Sequence, residues 1–216
     1  VVPVLGTLFR LEDLRACRID SEEPPVTGEG PIEWGIDWGF DVPTVLHIVQ
    51  LEGEHWVVLY VKDWSRQRFE TIHNDLDSYK TRFPPQSVNA DSSHIGENQR
   101  LKDAGFPVRE VKFKVEKEVL KANLRMLIEK HRLGIWNHFV STLSQLAKYT
   151  NETKRDDDFV DSLMLAVRGG TKSSKDVWSM VRKQSRSYGI VGQKRMPDLG
   201  PVRGEARMWS ELRRKR

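Results

Sequence analysis

With 216 residues the chain has the length of one domain of moderate size plus appendages, and it is long enough to bury a core. Seven Trp, eight Phe and 31% charged residues exclude a disordered chain, and a single cysteine, Cys17, excludes an internal disulfide and a cysteine zinc cluster, which fits a reducing compartment. The net charge of +4 is uneven: residues 170–216 hold 13 Lys and Arg against four Asp and Glu, whereas residues 1–169 hold 22 against 27, so the tail is the basic part and a handle for a polyanion. No apolar run reaches the roughly 18 residues of a membrane span, and Val1-Val2-Pro3 resembles no signal peptide. A start without Met suggests a fragment.

Residues 1–30 read as a tether, with a short apolar-polar stretch from Leu8 to Arg18 and then Ser21 to Gly30, where paired prolines, glycines and charge bury nothing. Next, Ile32, Trp34, Ile36 and Trp38 alternate with Glu33, Gly35 and Asp37, the period of a strand that puts Asp37 on the face opposite the large apolar side chains. Gly35 and Gly39 flank Asp37 without side chains, which suits close approach of a phosphate backbone or a metal ion, or marks a bulge. Asp41 and Pro43 turn the chain into a second strand, Thr44 to Leu51, and Gly53-Glu54 turns it into a third, His55 to Val61. These three form an antiparallel meander.

Ser65 reads as the cap of a helix from Arg66 to Tyr79, ended by Phe83-Pro84-Pro85. Ser87 to Asp91 is a short strand with Val88 and Ala90 facing one way and Asn89 and Asp91 the other. A helix from Ser92 to Ala104 stops at Gly105, a strand follows from Val108 to Phe113, and a helix runs from Val119 to His131. Phe139, Leu143 and Leu146 mark a further helix, and Asn151 to Arg155 a polar loop. Asp156-Asp157-Asp158-Phe159-Val160-Asp161 opens an apolar helix that Gly169-Gly170 stops. The helix dipole accounts for one acidic residue there, and strains at four. Within the tail, Lys175 to Ser187 reads as a helix.

A meander, a helix, a short strand ending in Asp, a further αβα and a late acidic helix make a mixed α/β order, that of the RNase H-like fold, with antiparallel and parallel strands in one sheet flanked by helices. In that arrangement Asp37, Asp91 and either Asp158 or Asp161, three residues apart on one helical face, converge. Apposed carboxylates repel one another and imply bound cations. Hard oxygen donors with no Cys or paired-His motif favour Mg²⁺ or Mn²⁺ over zinc. Two such ions about 3.5–4 Å apart suit phosphodiester hydrolysis.

Gly35-Ile36-Asp37-Trp38-Gly39-Phe40 with Asp41-Val42-Pro43-Thr44 resembles the first nuclease motif of viral DNA-packaging terminase large subunits. Val88-Asn89-Ala90-Asp91-Ser92 resembles the second, and Asp158-Phe159-Val160-Asp161-Ser162-Leu163 the third, with Ser162 where the family pattern has Ala. His131 to Ile135 and Leu143 to Tyr149 resemble the stretch before that third motif, so the likeness covers residues 31–169. It implies a nuclease that cuts concatemeric double-stranded DNA, joined to an upstream ATPase domain, and since nothing in the sequence resembles a base-reading helix-turn-helix, little sequence preference is expected. It also implies a portal protein and a small terminase subunit as partners, and action in the host cytoplasm, transiently at the procapsid, outside the mature virion. The isolated domain is expected to be monomeric. No phosphate-binding loop is present, Gly169-Gly170-Thr171-Lys172 lacking its spacing, so no ATPase is expected in this chain.

The expected division is a tether (1–30), a nuclease core (31–169) and a basic extension (170–216). Asp37 is expected to bridge both metals and Asp91 to hold the second. Asp158 is favoured over Asp161 because a residue at the helix start reaches the strand ends. Asp41 and His94 are candidates for supporting roles, whereas Asp156 and Asp157 read as a solvated helix start. Lys112, Lys114, Lys117, Arg182 and Lys183 are candidates for phosphate contacts, and Trp178 and Trp209 for stacking on bases. Rival readings are a RuvC-type junction resolvase, a transposase core, and a non-catalytic module binding DNA or the portal.

Overall fold

The computed structural model describes residues 6–20, 28–150, 152 and 157–170. The helix expected over 175–187, with Trp178, Arg182 and Lys183, falls outside the described residues, as do Trp209 and Asp156.

The alternating stretch forms a strand, and it is buried on both faces. After helix α1 (Leu11–Ala16) and strand β1 (Arg18–Ile19), strand β2 (Ile32–Asp37) leads the meander with β3 (Thr44–Glu52) and β4 (His55–Trp64). Gly53, at φ +63°, makes the tight turn between β3 and β4. The chain continues through α2 (Phe69–Arg82), β5 (Ser87–Asp91), α3 (Ile95–Asp103), β6 (Val108–Val111), α4 (Phe113–Glu129), β7 (Leu133–Trp136), α5 (Val140–Lys148) and α6 (Asp158–Ala166), closing on a 3₁₀ turn at Val167–Gly170. Among the described residues the seven strands form one sheet in the order β1-β7-β4-β3-β2-β5-β6. The β2-β3-β4 pairs are antiparallel, whereas β5 on β2, β6 on β5, β7 on β4 and β1 on β7 are parallel. The expected mixed α/β sheet flanked by helices is what the chain forms.

Each face of the sheet carries its own core. On one, Trp34, Ile36 and Trp38 pack with Leu46, Ile48, Ile72 and Leu76 of α2 and Leu101 of α3. On the other, Val58, Leu133 and Ile135 pack with Leu120, Leu124 and Ile128 of α4, Leu146 of α5 and Val160, Leu163 and Met164 of α6. The odd-numbered residues of β2 face this second layer, so Asp37 is turned toward α6.

Several elements differ from the sequence expectation. Two parallel strands, β1 and β7, are additions to it, since strands of two and four residues are too short to display a period. Part of the stretch read as tether joins the fold: Phe9, Leu14 and Cys17 are buried, and Ile135 N donates to Cys17 O at 2.8 Å. Helix α2 starts three residues late, after Arg66 at φ +52°, and its N-cap is Arg68 with no side-chain bond, so Ser65 caps nothing. Helix α4 begins at Phe113, within the expected strand, because Lys112 already occupies the N-cap position and Phe113 turns into the core.

Candidate metal centre at the strand ends

The site is built where β2 and β5 end side by side. Their register pairs Gly35 with Asn89 and Ile36 with Ala90, so Asp37 and Asp91 are the next residues on neighbouring parallel strands, whose ordinary spacing is about 4.8 Å. A buried brace ties these ends together: Trp38 Nε1 donates to Asn98 Oδ1 at 3.0 Å, and Asn98 Nδ2 donates to Asp91 O at 2.8 Å. On the far side of Gly35, Glu33 is buried and accepts hydrogen bonds from Ser87 Oγ and from Asn89 Nδ2, which fixes β5 against β2. The turn after Asp37 is closed by Thr44, whose Oγ1 accepts from Gly39 N at 3.1 Å and donates to Gly39 O at 2.8 Å.

The third wall is α6, seated directly on Gly35. A Cβ on Gly35 would lie 2.2 Å from Ser162 O and 2.3 Å from Ala166 N. Gly35 is therefore there for the helix and not for a ligand, and a Cβ on Gly39 would meet Val42 O at 2.5 Å, so it serves the turn. Ser162, at the place of the family's Ala, donates to Gly35 O at 2.9 Å. Its Oγ also meets Nδ1 of the fully buried His47 at 3.0 Å, while His47 Nε2 meets Thr142 Oγ1 at 2.9 Å. This chain of bonds joins β2, β3, α5 and α6.

So positioned, α6 points its first turn at Asp37. Burial, and then the charges of Asp161, Asp158 and Asp157 in that order, push the Asp37 carboxyl up to about 8, against a small opposing pull from Lys117. Asp161 is buried and its own carboxyl is raised to about 6, by burial first, with Lys117 opposing. Its Oδ1 has no hydrogen-bond partner, and its Oδ2 accepts from Lys117 Nζ at 2.7 Å. Lys117, on α4, also donates to Asp157 Oδ2 at 3.0 Å. Burial alone would lower the ammonium, but Asp161 and Asp157 hold it above its usual range. Asp157 is thus half-buried in an ion pair, not the solvated helix start expected of it.

The other expected residues are more dispersed. Asp91 is half-buried, with Ser93 N donating to its Oδ1 at 3.2 Å and Ser93 Oγ to its Oδ2 at 2.6 Å. His94 is the N-cap residue of α3, 3.9 Å from Glu97. Asp41 is exposed in the β2–β3 turn, and Lys112 and Lys114 are exposed at the start of α4. Lys117 sits apart from those two, turned into the acidic cluster. The roles of Lys117, Asn98, His47 and Glu33 emerge only from the folded chain, and no local motif marks them.

Among the described residues no group of three or more His, Cys, Asp or Glu side chains stands close enough together to hold a metal ion as arranged; Lys117 lies on Asp157 and Asp161, and both oxygens of Asp91 face Ser93. The chemistry of the donors nonetheless suits a hard divalent cation: the acidic side chains of Asp37, Asp91 and the first turn of α6 supply carboxylate oxygens, and Asp161 Oδ1 is buried without a hydrogen-bond partner.

No sequence-family profile matches the chain, and no curated protein does. Solved structures match its fold. The large terminase nuclease from thermophilic phage G20c with bound magnesium is 19% identical, with a TM-score of 0.62 over 77% of this chain and 98% of that one. The P22 large terminase nuclease domain is 15% identical, with a TM-score of 0.60 over 80% and 97%. The large terminase from another thermophilic bacteriophage, in complex with ADP, is 14% identical, with a TM-score of 0.65 over 74% of this chain but only 44% of its own. The chain thus spans less than half the length of that whole terminase. Its sheet order and flanking helices give it the RNase H-like fold that terminase nuclease domains have.

Proposed function

We propose that the chain is a metal-dependent endonuclease that hydrolyses double-stranded DNA with little sequence preference, acting as the nuclease part of a large terminase that cuts concatemeric viral DNA during packaging. The observation that carries this reading is the convergence of two elements on Asp37 at the end of β2: the end of β5 beside it and the acidic first turn of α6 above it, whose charges add to burial in raising its carboxyl to about 8. The G20c nuclease has been solved with cobalt, zinc and magnesium, which supports a divalent-ion site in this fold. Two Mg²⁺ or Mn²⁺ ions, when bound, supply an activated water and stabilise the leaving oxygen. Asp37 and Asp91, with Asp158 and Asp161, would hold them. Asp161 ranks first because it pushes hardest on Asp37 and keeps a free oxygen. Lys112 and Lys114, exposed beside the end of β6, orient the DNA through its phosphates.

In this reading an ATPase domain stands upstream, and the portal protein and small terminase subunit are partners. The place of action is the host cytoplasm, at the procapsid and not in the virion. This chain itself hydrolyses no ATP.

The test is cleavage of supercoiled and linear plasmid with Mn²⁺, Mg²⁺ or EDTA. Cutting that needs the metal, and that falls by at least about 100-fold in Asp37→Asn, is the expected result, since loss of a ligand outweighs loss of an outer partner. Absence of cutting under every metal, with DNA still bound, would overturn it in favour of a binding module. Preference for four-way junctions by a dimer would point to a resolvase, and strand joining to a transposase.

A further inference from the structure

Lys117 is the one cation among the described residues that is hydrogen-bonded to the acidic turn of α6, and the candidate centre would have to accommodate it. Its Nζ lies 2.7 Å from Asp161 Oδ2 and 3.0 Å from Asp157 Oδ2, and 5.2 Å from the centre of the Phe113 ring. The side chains are well covered, with Asp161 10%, Asp157 14% and Lys117 27% exposed. At such burial an ion pair is screened little, and each carboxylate needs a positive partner. The same Asp161 keeps its other oxygen, Oδ1, buried and without a partner. Lys117 therefore satisfies only half of Asp161, and a divalent ion at this carboxylate would stand within a few ångströms of the ammonium, where like charges repel.

We propose that Lys117 is the internal counter-cation of the metal centre: it holds Asp161 and Asp157 in the metal-free protein, and a divalent ion binds by displacing it. This rests on the nuclease reading above. The lysine keeps the acidic turn from flying apart before the metal arrives, and in exchange it weakens metal affinity. Its position on α4 links that helix to the occupancy of the site, because the ammonium must leave α6 when the ion enters.

The experiment measures Mn²⁺ binding to the full chain by calorimetry for wild type, Lys117→Met and Lys117→Arg, with melting temperatures in EDTA and in excess Mn²⁺. Lys117→Met is expected to bind Mn²⁺ about 10-fold or more tightly, the equivalent of one charge-assisted hydrogen bond that no longer has to be broken. Lys117→Arg, which keeps the charge, is expected to show no gain. In EDTA, Lys117→Met melts below wild type, and Mn²⁺ narrows the gap. Equal affinities, or weaker binding in Lys117→Met, would overturn the proposal and leave the nuclease reading standing. If no variant binds Mn²⁺, both fall together. A measurement on wild type covers the case of a misfolded variant: acetylation of Lys117, followed by mass spectrometry, is expected to accelerate several-fold when Mn²⁺ is added. Unchanged or slower acetylation would count against displacement.

Discussion

At the scale of single residues, one buried and one half-buried group give the metal-free protein opposite responses to pH. His47 is fully buried between Ser162 and Thr142, and burial lowers its pKa to about 3 from the ordinary 6.5. The unfolded chain then binds the extra proton between these values, so the stability His47 contributes is present above pH 6.5 and is lost as pH falls toward 3. Asp37 runs the other way: its folded pKa, about 8, stands above the ordinary 3.8, so the folded protein keeps a proton that the unfolded chain gives up. Its contribution is present below pH 3.8 and is lost as pH rises through 8. Asp161, raised to about 6, adds to this loss only up to that pH. Between pH 6.5 and 8, then, Asp37 acts largely alone. Thermal melts in EDTA are expected to show stability falling by at most about 2 kcal/mol over that window. Asp37→Asn flattens the fall, and so does saturating Mn²⁺, which holds the carboxylate charged in the folded state. A fall that persists in Asp37→Asn would assign it to other groups.

At the scale of elements, α6 is set by what lies beneath it. Because a Cβ at residue 35 would stand 2.2 Å from Ser162 O, Gly35→Ala forces the helix off the strand or bends β2. Overpacking against backbone costs about 1–3 kcal/mol or more, and the displacement carries Asp158 and Asp161 away from Asp37. Gly35→Ala is therefore expected to lower both the melting temperature and Mn²⁺ affinity. A variant with unchanged Mn²⁺ affinity would sever the link between helix seating and the site. Much of this element-level picture is legible in the sequence. The period-2 run from Ile32 to Trp38 and the Gly53-Glu54 turn fix the meander, and Asp91 at a strand end follows from Ser87 to Asp91. What the sequence hides depends on contacts between distant residues. Gly35 reads as room for a ligand because its occupant lies 127 positions away, at Ser162. Lys117 reads as a candidate for phosphate contacts because Asp157 and Asp161, its partners in the fold, lie 40 and 44 positions away. Asn98 joins Trp38 to Asp91 from a helix whose own pattern gives no hint of it.

At the scale of the whole molecule, the question is where the folded unit begins. The sheet needs an edge, and β1 supplies it beside β7, with only two residues and one exposed arginine, Arg18, a short and charged rim that discourages pairing with another chain. The other edge, β6, presents Arg109 and Glu110 in the same way. Ahead of β1, Leu8 N donates to Tyr149 O at 2.8 Å and Thr7 bridges to Thr150, so the chain is stitched to the end of α5 before α1 begins. Phe9 packs on Tyr149 with ring centres 5.9 Å apart, Leu14 and Cys17 join the core of α4 and α5, and Asp13 lies 3.3 Å from His131. Burying side chains of the size of Phe9 and Leu14 is worth about 1.5–3 kcal/mol each, a large share of the roughly 5–15 kcal/mol that holds a domain together. A chain beginning at residue 31 would lose these contacts and leave β7 as a bare edge above exposed apolar side chains of α4 and α5. We predict that this truncation melts well below the full chain and aggregates on concentration. If it melted with the full chain and stayed monomeric, residues 7–20 would be a tether after all, resting on a core complete without them.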